Sequence, residues 1–210
     1  MKLYSYFRSS ASYRVRLALN LKGLAYEIVP VHLVKGEHHD EAYRKMNAQA
    51  RVPSLLLDDG TVLTQSPAII DYLEETHPAP PLLPADPVAR AKIRAVASLI
   101  ACDIQPLGNM TVLKYLQAPL RHSEDEVRAW VANWMRQGFG AIESLLAPGP
   151  YAFGERVTLA DVFIVPQVYN ARRYGVPLTD FPNVLAVADA CEKLEPFIKA
   201  HPSNQPDAEG

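Results

Sequence analysis

Two adjacent serines, Ser9 and Ser10, stand where the sequence predicts that a strand ends and a helix begins. The first turn of a helix offers free N–H groups and a partial positive charge, which stabilise anions. A thiol bound there ionises more readily because its thiolate is stabilised, and a serine hydroxyl can donate one further hydrogen bond to the sulfur. Either serine could instead serve only as the helix N-cap. The pair therefore indicates a thiolate-activating turn or a plain cap.

Gln65-Ser66-Pro67 predicts a second helix start, with Ser66 as the N-cap and Pro67 at the first helical position. The N–H groups of a helix start, together with a serine hydroxyl, can bind a carboxylate. Capping and ligand binding are compatible because one residue can do both. The motif therefore predicts an anion-binding site at the start of this helix.

Three arginines could hold an acidic substrate: Arg8 directly precedes the serines, and Arg172-Arg173 follows a long apolar run. Arginine presents a planar fork of donors that binds a carboxylate through two parallel hydrogen bonds. The alternative for each arginine is a solvated surface charge. Cys102 and Cys191 form no CxxC and have no His at metal-ligand spacing, so we expect buried, reduced thiols and no metal.

The composition limits the classes of partner. The 210 residues are 49% hydrophobic and 21% charged with a formal net charge of −2, which excludes disorder. No global basic field is present to attract nucleic acid or an anionic membrane, so an anionic ligand must be held by local arginines. The first residues do not form a secretory signal, and no run of about 18 uncharged apolar residues predicts a membrane helix. We therefore predict a cytoplasmic protein.

A proline-rich segment divides the chain, because residues 77–87 include five prolines. Proline lacks the N–H that a helix interior needs, so this segment predicts an extended linker. We predict one domain over residues 1–79, a linker over 80–87 and a second domain over 88–210. The first domain shows the order β-α-β-α-β-β-α and the second is helical throughout, so the fold class is α/β followed by all-α.

Local patterns refine this order. A strand over 3–7, a helix over 12–22 and a strand over 26–31 predict a βαβ unit with parallel strands. A hairpin is expected to turn at Asp59-Gly60. In the second domain, Pro106 is expected to kink a long helix, because proline deletes one backbone hydrogen bond.

The end of the chain carries two further signals. Thr158 predicts a capped helix start, with Asp161 reaching back to the cap N–H, followed by a helix that is apolar all round. The polar residues 202–210 predict a segment that is loose or draped on the surface.

Together these motifs identify a family resemblance that covers residues 3–207. The segment Ser9-Ser10-Ala11-Ser12-Tyr13-Arg14-Val15-Arg16 resembles the zeta-class glutathione transferase signature Ser-Ser-Cys-x-Trp-Arg-Val-Arg. Further matches are Val52-Pro53, Gln65-Ser66, Gln105-Pro106 with Asn109, Thr158-Leu159-Ala160-Asp161, His201-Pro202 and Gln205-Pro206-Asp207. The resemblance implies a thioredoxin-like first domain followed by a helical bundle, and a homodimer.

The resemblance also implies the residue roles. Ser9, assisted by Ser10, would activate the glutathione thiol, and the Val52–Pro53 bond would be cis. Arg8 would act in catalysis, and Arg8 and Arg173 would bind the substrate carboxylates. The glutathione-binding residues would be Ser9, Ser10, Arg14, His38, Val52, Pro53, Gln65, Ser66, Gln105, Asn109, Met110 and Thr111. From its loop alone, His38 could equally be a solvated surface residue.

The implied activity is glutathione-dependent cis–trans isomerisation of a maleyl dicarboxylate, by thiolate addition, bond rotation and elimination. Family members that act on maleylpyruvate, in gentisate degradation, carry an arginine where this sequence has Met110. Its absence favours conversion of maleylacetoacetate to fumarylacetoacetate, a step of tyrosine and phenylalanine catabolism. Maleylpyruvate isomerisation and glutathione transfer to α-haloacids stay open as alternatives.

A fourth alternative is an adaptor of the same fold that binds a protein partner and no glutathione. The intact Ser9-Ser10, Val52-Pro53 and Gln65-Ser66 motifs argue against it, because an adaptor has no physical need for them. The sequence departs from the family pattern at Ala11, which replaces a cysteine, and at Ala48, which replaces a proline. The serines remain, so we expect the isomerase chemistry to survive without the cysteine.

Overall fold

Residues 1–209 are described by the computed structural model, and they divide into two compact units. The sheet unit comprises residues 1–81 together with 193–209, and the helical unit comprises residues 82–192. The sequence predicted two domains separated near residue 80 but assigned every residue after 87 to the second. The structure instead returns the C-terminal segment to the sheet unit.

A four-stranded mixed sheet forms the centre of the sheet unit, in the order β2-β1-β3-β4. Its strands are β1 (Lys2–Ser5), β2 (Glu27–Pro30), β3 (Ser54–Leu56) and β4 (Val62–Thr64). The pairing of β1 with β2 is parallel, and the other two pairings are antiparallel. This confirms the βαβ unit and the hairpin. Gly60 lies in the hairpin turn at φ +89°, a conformation that glycine adopts without steric cost.

The first three helices of the sheet unit are α1 (Ser10–Leu21), α2 (Glu41–Met46) and α3 (Ser66–Thr76). α1 packs against α3. A buried ion pair joins their ends, because the Lys22 ammonium lies 2.7 Å from a Glu74 carboxylate oxygen and 2.7 Å from the His77 carbonyl oxygen. Within a buried site this pairing and these hydrogen bonds offset the cost of removing both charges from water.

Five α-helices and one π-helix form the helical unit. They are α4 (Pro87–Ser98), the π-helix Leu99–Ile104, α5 (Met110–Gln117), α6 (Glu124–Leu145), α7 (Leu159–Arg173) and α8 (Pro182–Cys191). α7 is buried along most of its length, as its all-round apolar sequence predicted. Its start is fixed by Asp161, whose carboxylate accepts the Thr158 N–H at 2.7 Å and hydroxyl at 2.8 Å, which confirms the predicted cap.

The last helix, α9 (Glu195–Ala200), packs against α1 of the sheet unit. After it the chain forms a 3₁₀ turn, Pro202–Asn204, and Gln205 is only 7% exposed. Of the two predicted alternatives for 202–210, a loose segment is therefore wrong for the residues up to 209, whereas a segment draped on the surface agrees with their mixture of exposed and buried residues. The polar side chains of this segment make specific hydrogen bonds, which composition alone does not reveal.

No helix within residues 1–209 combines the length and the apolar character needed to cross a bilayer.

Candidate functional site

The turn between β1 and α1 places Ser9 at the N-cap position of α1. The Ser9 hydroxyl oxygen accepts the Ser12 N–H at 3.2 Å. Accepting this bond uses a lone pair of the oxygen, so the hydroxyl hydrogen remains able to donate to a ligand. Ser10 is the first helical residue and is only 6% exposed. The two interpretations of the sequence are therefore compatible: Ser9 caps α1 and keeps its own proton for a ligand atom.

Arg14, on the helix α1 that begins at the Ser9 turn, contacts the start of α3. This arginine is 1% exposed, and its Nη1 lies 3.5 Å from the Ser66 hydroxyl oxygen. A buried guanidinium beside a helix N-terminus adds positive charge where free N–H groups already favour an anion. The structure therefore brings together Arg14 and Ser66, two of the predicted glutathione-binding residues.

The predicted cap of α3 was one residue out of place. Gln65 is the N-cap residue at φ +69°, and the buried Ser66 is the first helical residue. A residue other than glycine at positive φ costs about 1–3 kcal/mol and persists only where surrounding contacts hold it. The exposed Gln65 side chain donates a hydrogen bond to the Gln49 side chain. The motif Ser-Pro suggested a serine cap, and sequence alone carries no signal for the positive φ.

Val52 and Pro53 are joined by a cis peptide bond, as the resemblance implied, and both residues are buried. The loop before them is tied down by Asn47, which sequence reasoning did not single out. Its side-chain amide donates to the Arg51 carbonyl at 2.8 Å and to the Ser54 hydroxyl at 3.0 Å. Asn is a common residue in tight turns for this reason, and that propensity was the available signal.

His38 is buried rather than solvated, with an exposed fraction of 7%. It lies in the 3₁₀ turn Glu37–His39, and its ring stacks on that of His39 with 3.9 Å between centroids. Of the two interpretations that the sequence left open, the solvated one is wrong. A contact between His38 and a ligand stays a prediction.

Arg8 is half-buried beside aromatic rings at the start of the turn. Its Nη2 donates to the Tyr6 hydroxyl at 2.9 Å, and its guanidinium carbon lies 5.0 Å from the Phe7 ring centroid. These contacts orient the planar guanidinium, which carries five N–H donors. The arrangement suits recognition of a carboxylate or of a developing oxyanion.

The predicted kinked helix around Pro106 does not exist in that form. The π-helix Leu99–Ile104 ends before Gln105, whose N–H donates to the Ile100 carbonyl at 2.9 Å. Residues 105–108 then form a turn, and a new helix, α5, begins after its N-cap residue, Asn109. The Asn109 side-chain oxygen accepts the Thr111 N–H at 2.9 Å. Gln105 therefore lies at the start of this turn, whereas Met110 and Thr111 are the first two residues of α5.

Arg172 and Arg173 end α7 in different environments. Arg172 pairs with Glu192 at 2.8 Å and with Asp189 at 2.9 Å, and these carboxylates raise its pKa despite partial burial. Arg173 is exposed, and no carboxylate of residues 1–209 pairs with it. Its Nη2 donates to the Asn170 side-chain oxygen at 3.4 Å, and its guanidinium carbon lies 4.3 Å from the Tyr174 ring centroid. Of the two, Arg173 is therefore the one whose guanidinium is not already paired with a carboxylate of the described residues.

Neither cysteine lies among the predicted site residues. Cys191 is fully buried in α8, where burial raises the pKa of its thiol, with the Asp161 carboxylate 3.8 Å away adding to the effect. Cys102 is exposed on the π-helix, so the expectation of two buried thiols is wrong for this residue. The error arose because cysteine is among the residue types most often buried.

Two family models match the chain. Residues 3–81 match the glutathione S-transferase N-terminal domain, and residues 124–190 match the glutathione S-transferase C-terminal domain. The chain is 51% identical over 209 residues to the maleylacetoacetate isomerase of Pseudomonas aeruginosa, an alignment that covers 99% of this chain and 98% of that protein.

Solved structures agree with these matches. A bacterial maleylpyruvate isomerase, described as a zeta-class glutathione S-transferase in its holo form, has a TM-score of 0.97 and 47% identity, with all of both chains covered. The maleylacetoacetate isomerase of Anaeromyxobacter dehalogenans, with glutathione bound in its active site, has a TM-score of 0.90 and 42% identity, covering 99% of this chain and 97% of that one.

Proposed function

The chain belongs to the zeta class of the glutathione S-transferase family, and from this membership we propose which reaction its site performs. It is a glutathione-dependent cis–trans isomerase of maleyl substrates, the activity for which its relatives are named. The substrate that we propose is maleylacetoacetate, which the enzyme would convert to fumarylacetoacetate.

The residues of the sheet unit fit glutathione. The free N–H groups at the start of α3 and the buried Arg14 beside Ser66 suit the γ-glutamyl carboxylate. The backbone of Val52, next to the cis-proline, would pair with the cysteinyl part, and His38 would contact the glycyl end. Bound glutathione would supply the thiolate that adds to the cis double bond and leaves after rotation about the new single bond.

One observation carries the proposal, and it is the hydrogen bond from the Ser12 N–H to the Ser9 hydroxyl oxygen. This bond fixes the oxygen at the positive end of α1 and leaves its proton for the sulfur. Ser9 would donate to the thiolate and thereby keep the thiol ionised near neutral pH. The intact hydroxyl makes Ala11 tolerable, because activation needs a donor at the helix start rather than a second thiol.

Arg8 and Arg173 are the substrate anchors in this proposal. Arg8 would stabilise the negative charge that develops on the substrate carbonyl oxygen during addition, since a preformed donor needs little reorganisation. Arg173 would bind a substrate carboxylate, which supplies affinity and orientation. Gln105, Asn109 and Thr111 offer neutral hydrogen bonds, which suit positioning rather than proton transfer.

Met110 supports maleylacetoacetate over maleylpyruvate. The two substrates each carry two carboxylates and differ by one methylene group, so discrimination by a pocket amounts to about 1–3 kcal/mol. The resemblance associates an additional arginine with action on maleylpyruvate, and here that position is the uncharged first residue of α5. In maleylacetoacetate the terminal carboxylate lies one methylene further from the neighbouring ketone carbonyl than in maleylpyruvate. We propose that a site with two cations rather than three fits this longer substrate.

The wider setting is part of the proposal. We infer a cytoplasmic homodimer that acts in tyrosine and phenylalanine catabolism. Support comes from the resemblance, since the members of this class with the same motifs are expected to share this setting.

The test is the rate of cis–trans isomerisation of maleylacetoacetate and of maleylpyruvate, each with and without glutathione. We expect turnover only with glutathione, and a higher kcat/KM for maleylacetoacetate. A preference for maleylpyruvate would keep the chemistry but refute the proposed substrate. Absence of turnover with both, together with failure to bind glutathione-agarose, would favour the adaptor.

A further inference from the structure

The backbone immediately before the Ser9 turn is held by groups from distant parts of the sequence. The Phe7 N–H donates to the Asp207 carboxylate at 2.9 Å, and the Phe7 carbonyl accepts from Arg16 Nη2 at 3.0 Å. Arg16 also donates to the Ala200 carbonyl at 3.0 Å. Both polar groups of Phe7 are thus fixed by residues that depend on the C-terminal segment. The direction in which the chain enters the Ser9 turn follows from these contacts.

The strap, residues 205–209, has its own anchors. The Gln205 amide donates to the Lys199 and His201 carbonyls at 2.9 and 2.8 Å, which fixes the start of the strap against α9. Ala208 packs against the aromatic cluster that contains Tyr6 and Phe7. The strap therefore holds Asp207 in place between a polar anchor and an apolar one.

A second series of side-chain contacts connects the strap with Arg8. The Nδ1 of His32 accepts the Lys35 N–H at 3.1 Å, so its Nε2 carries the proton and donates to Glu209 at 2.7 Å. This hydrogen bond lowers the pKa of the Glu209 carboxyl. The His32 ring lies 5.1 Å from that of Tyr6, whose hydroxyl accepts from Arg8. The strap thus contacts the supports of both Ser9 and Arg8.

The chemistry of Asp207 is unusual for a purely structural contact. Its Oδ1 is buried and has no hydrogen-bond partner within residues 1–209. A buried carboxylate oxygen without a partner is destabilising, so an apolar residue would serve better if the strap acted only through packing. The compensating feature is the single hydrogen bond to Phe7, two residues before Ser9.

We propose that Asp207 is a positioning residue for the Ser9 turn, and that the strap of residues 205–209 acts on glutathione activation through it. This proposal rests on the proposed function, since it assigns Asp207 the task of orienting the donor of that same site. Without the Asp207 acceptor, the Phe7 N–H must find another partner, and the turn moves with it. The Ser9 hydroxyl then donates to the thiolate with poorer geometry.

The test compares Asp207→Ala, Asp207→Asn and the wild type by titrating the thiol of bound glutathione through the ultraviolet absorption of its thiolate. We expect Asp207→Ala to raise the pKa of that thiol and to lower kcat at neutral pH about tenfold. Asp207→Asn keeps an oxygen acceptor for Phe7, so its kcat should remain within about twofold of wild type. Amide hydrogen exchange should show faster exchange at Phe7 in Asp207→Ala only.

Asn20→Ala is the matched control, because the Asn20 side chain donates to the Pro196 carbonyl at 3.0 Å and so also joins α1 to the C-terminal segment. It should lower thermal stability without changing the pKa of the bound thiol. If Asp207→Ala lowers only thermal stability, as Asn20→Ala does, Asp207 has no positioning role. An inactive wild type that still binds glutathione would refute the isomerase assignment, while the thiol titration would still decide on Asp207.

Discussion

The Ser9 turn in the sheet unit and the segment 99–111 in the helical unit both carry predicted site residues, yet different forces hold them. The turn is fixed by hydrogen bonds to Ser9, Phe7 and Ser12. The segment receives one side-chain hydrogen bond from α6, from Trp130 Nε1 to the Leu107 carbonyl at 2.8 Å, and it is also held by packing: Ile104 lies so close to α6 that a Cβ on Gly138 would be 2.1 Å from its Cδ1. Hydrogen bonds fix the direction of a donor, whereas packing fixes the room for a substrate.

This difference predicts two kinds of variant. Changes around the turn should alter kcat and the pH profile, because thiolate activation depends on donor geometry. Changes in the helical unit should alter KM for the maleyl substrate, because the role proposed for its residues is to bind and orient rather than to transfer protons.

The largest effect is expected for Arg16→Met, which removes the side chain that donates three hydrogen bonds around the Ser9 turn. Arg16 is fully buried and donates to Ala200, Ser5 and Phe7. Methionine retains the apolar stem but leaves these buried acceptors unpaired, at about 1–3 kcal/mol each. We expect the free energy of unfolding to fall by about 3 kcal/mol or more, measured by urea denaturation.

Arg90→Met serves as its control, because the half-buried Arg90 makes one hydrogen bond, to the Pro84 carbonyl at 3.2 Å. Its loss should cost about 1 kcal/mol. Equal losses for the two variants would show that the hydrogen bonds of Arg16 do not hold the turn.

Ser9→Ala should have the next largest effect. Loss of the hydroxyl donor raises the pKa of the bound glutathione thiol, so less thiolate is present at any pH below that pKa. The rising limb of the pH–rate profile should move to higher pH, and kcat at neutral pH should fall about tenfold, as expected for one hydrogen bond to a charged group. Ser9→Thr, which keeps the hydroxyl, should restore most of the activity.

The variant also removes a helix cap, worth about 1 kcal/mol. Asp86→Ala is the control for that loss, because Asp86 caps α4 by accepting the Ala89 N–H at 2.7 Å. It should lower stability by a similar amount and leave the pH–rate profile unchanged. An unchanged profile in Ser9→Ala would remove Ser9 from the role proposed here.

Arg173→Met tests the helical unit. We expect KM for the maleyl substrate to rise about tenfold, since a hydrogen bond to a charged group contributes about 1.5–3 kcal/mol, while glutathione affinity stays unchanged. Steady-state kinetics with each substrate varied in turn would measure both. Arg172→Met is the matched control, because the pairs of Arg172 with Glu192 and Asp189 give it a structural role, so KM should not change. Equal KM values in both variants would make Arg173 a surface charge.

Gly138→Ala should have the smallest effect. Alanine favours the interior of α6 by about 1 kcal/mol over glycine, but overpacking against Ile104 costs about 1–3 kcal/mol. A net loss of about 1 kcal/mol is expected by thermal denaturation. Adding Ile104→Val, which removes the Cδ1 atom, should restore part of the loss, and additive effects in the double variant would contradict close packing.

Much of the architecture follows from local patterns in the sequence. The βαβ unit, the Asp59-Gly60 hairpin and the capped start of α7 depend on neighbouring residues, so periodicity and turn propensity predicted them. The π-helix did not follow, because Pro106 predicts only that a hydrogen bond is lost and not how the preceding residues rearrange. The membership of the C-terminal segment in the sheet unit depends on contacts between residues far apart in the chain, such as Phe7 with Asp207, which are 200 residues apart.

The residues of the candidate site likewise include some that the sequence identified and others that only the structure reveals. The motifs identified Ser9, and the structure shows that it caps α1 while keeping a proton to donate. Asn47 supports the site through hydrogen bonds to Arg51 and Ser54, and only its general turn propensity marks it in the sequence. Asp207 belongs to a matched family motif, but its hydrogen bond with Phe7 cannot be inferred from its local sequence. The choice of Arg173 over Arg172 needed the resemblance, and its physical reason appears only when the ion pairs of Arg172 are seen.

The discontinuous sheet unit has a consequence for synthesis on the ribosome. Translation produces the whole of the helical unit before Ala200 and Asp207, the partners of Arg16 and Phe7, have been made. A chain made only as far as residue 192 can pair its strands and form the Ser9–Ser12 hydrogen bond, but it lacks the Asp207 acceptor for the Phe7 N–H. If Asp207 positions the Ser9 turn as proposed, the geometry for thiol activation is completed last, once residues 205–209 have been made.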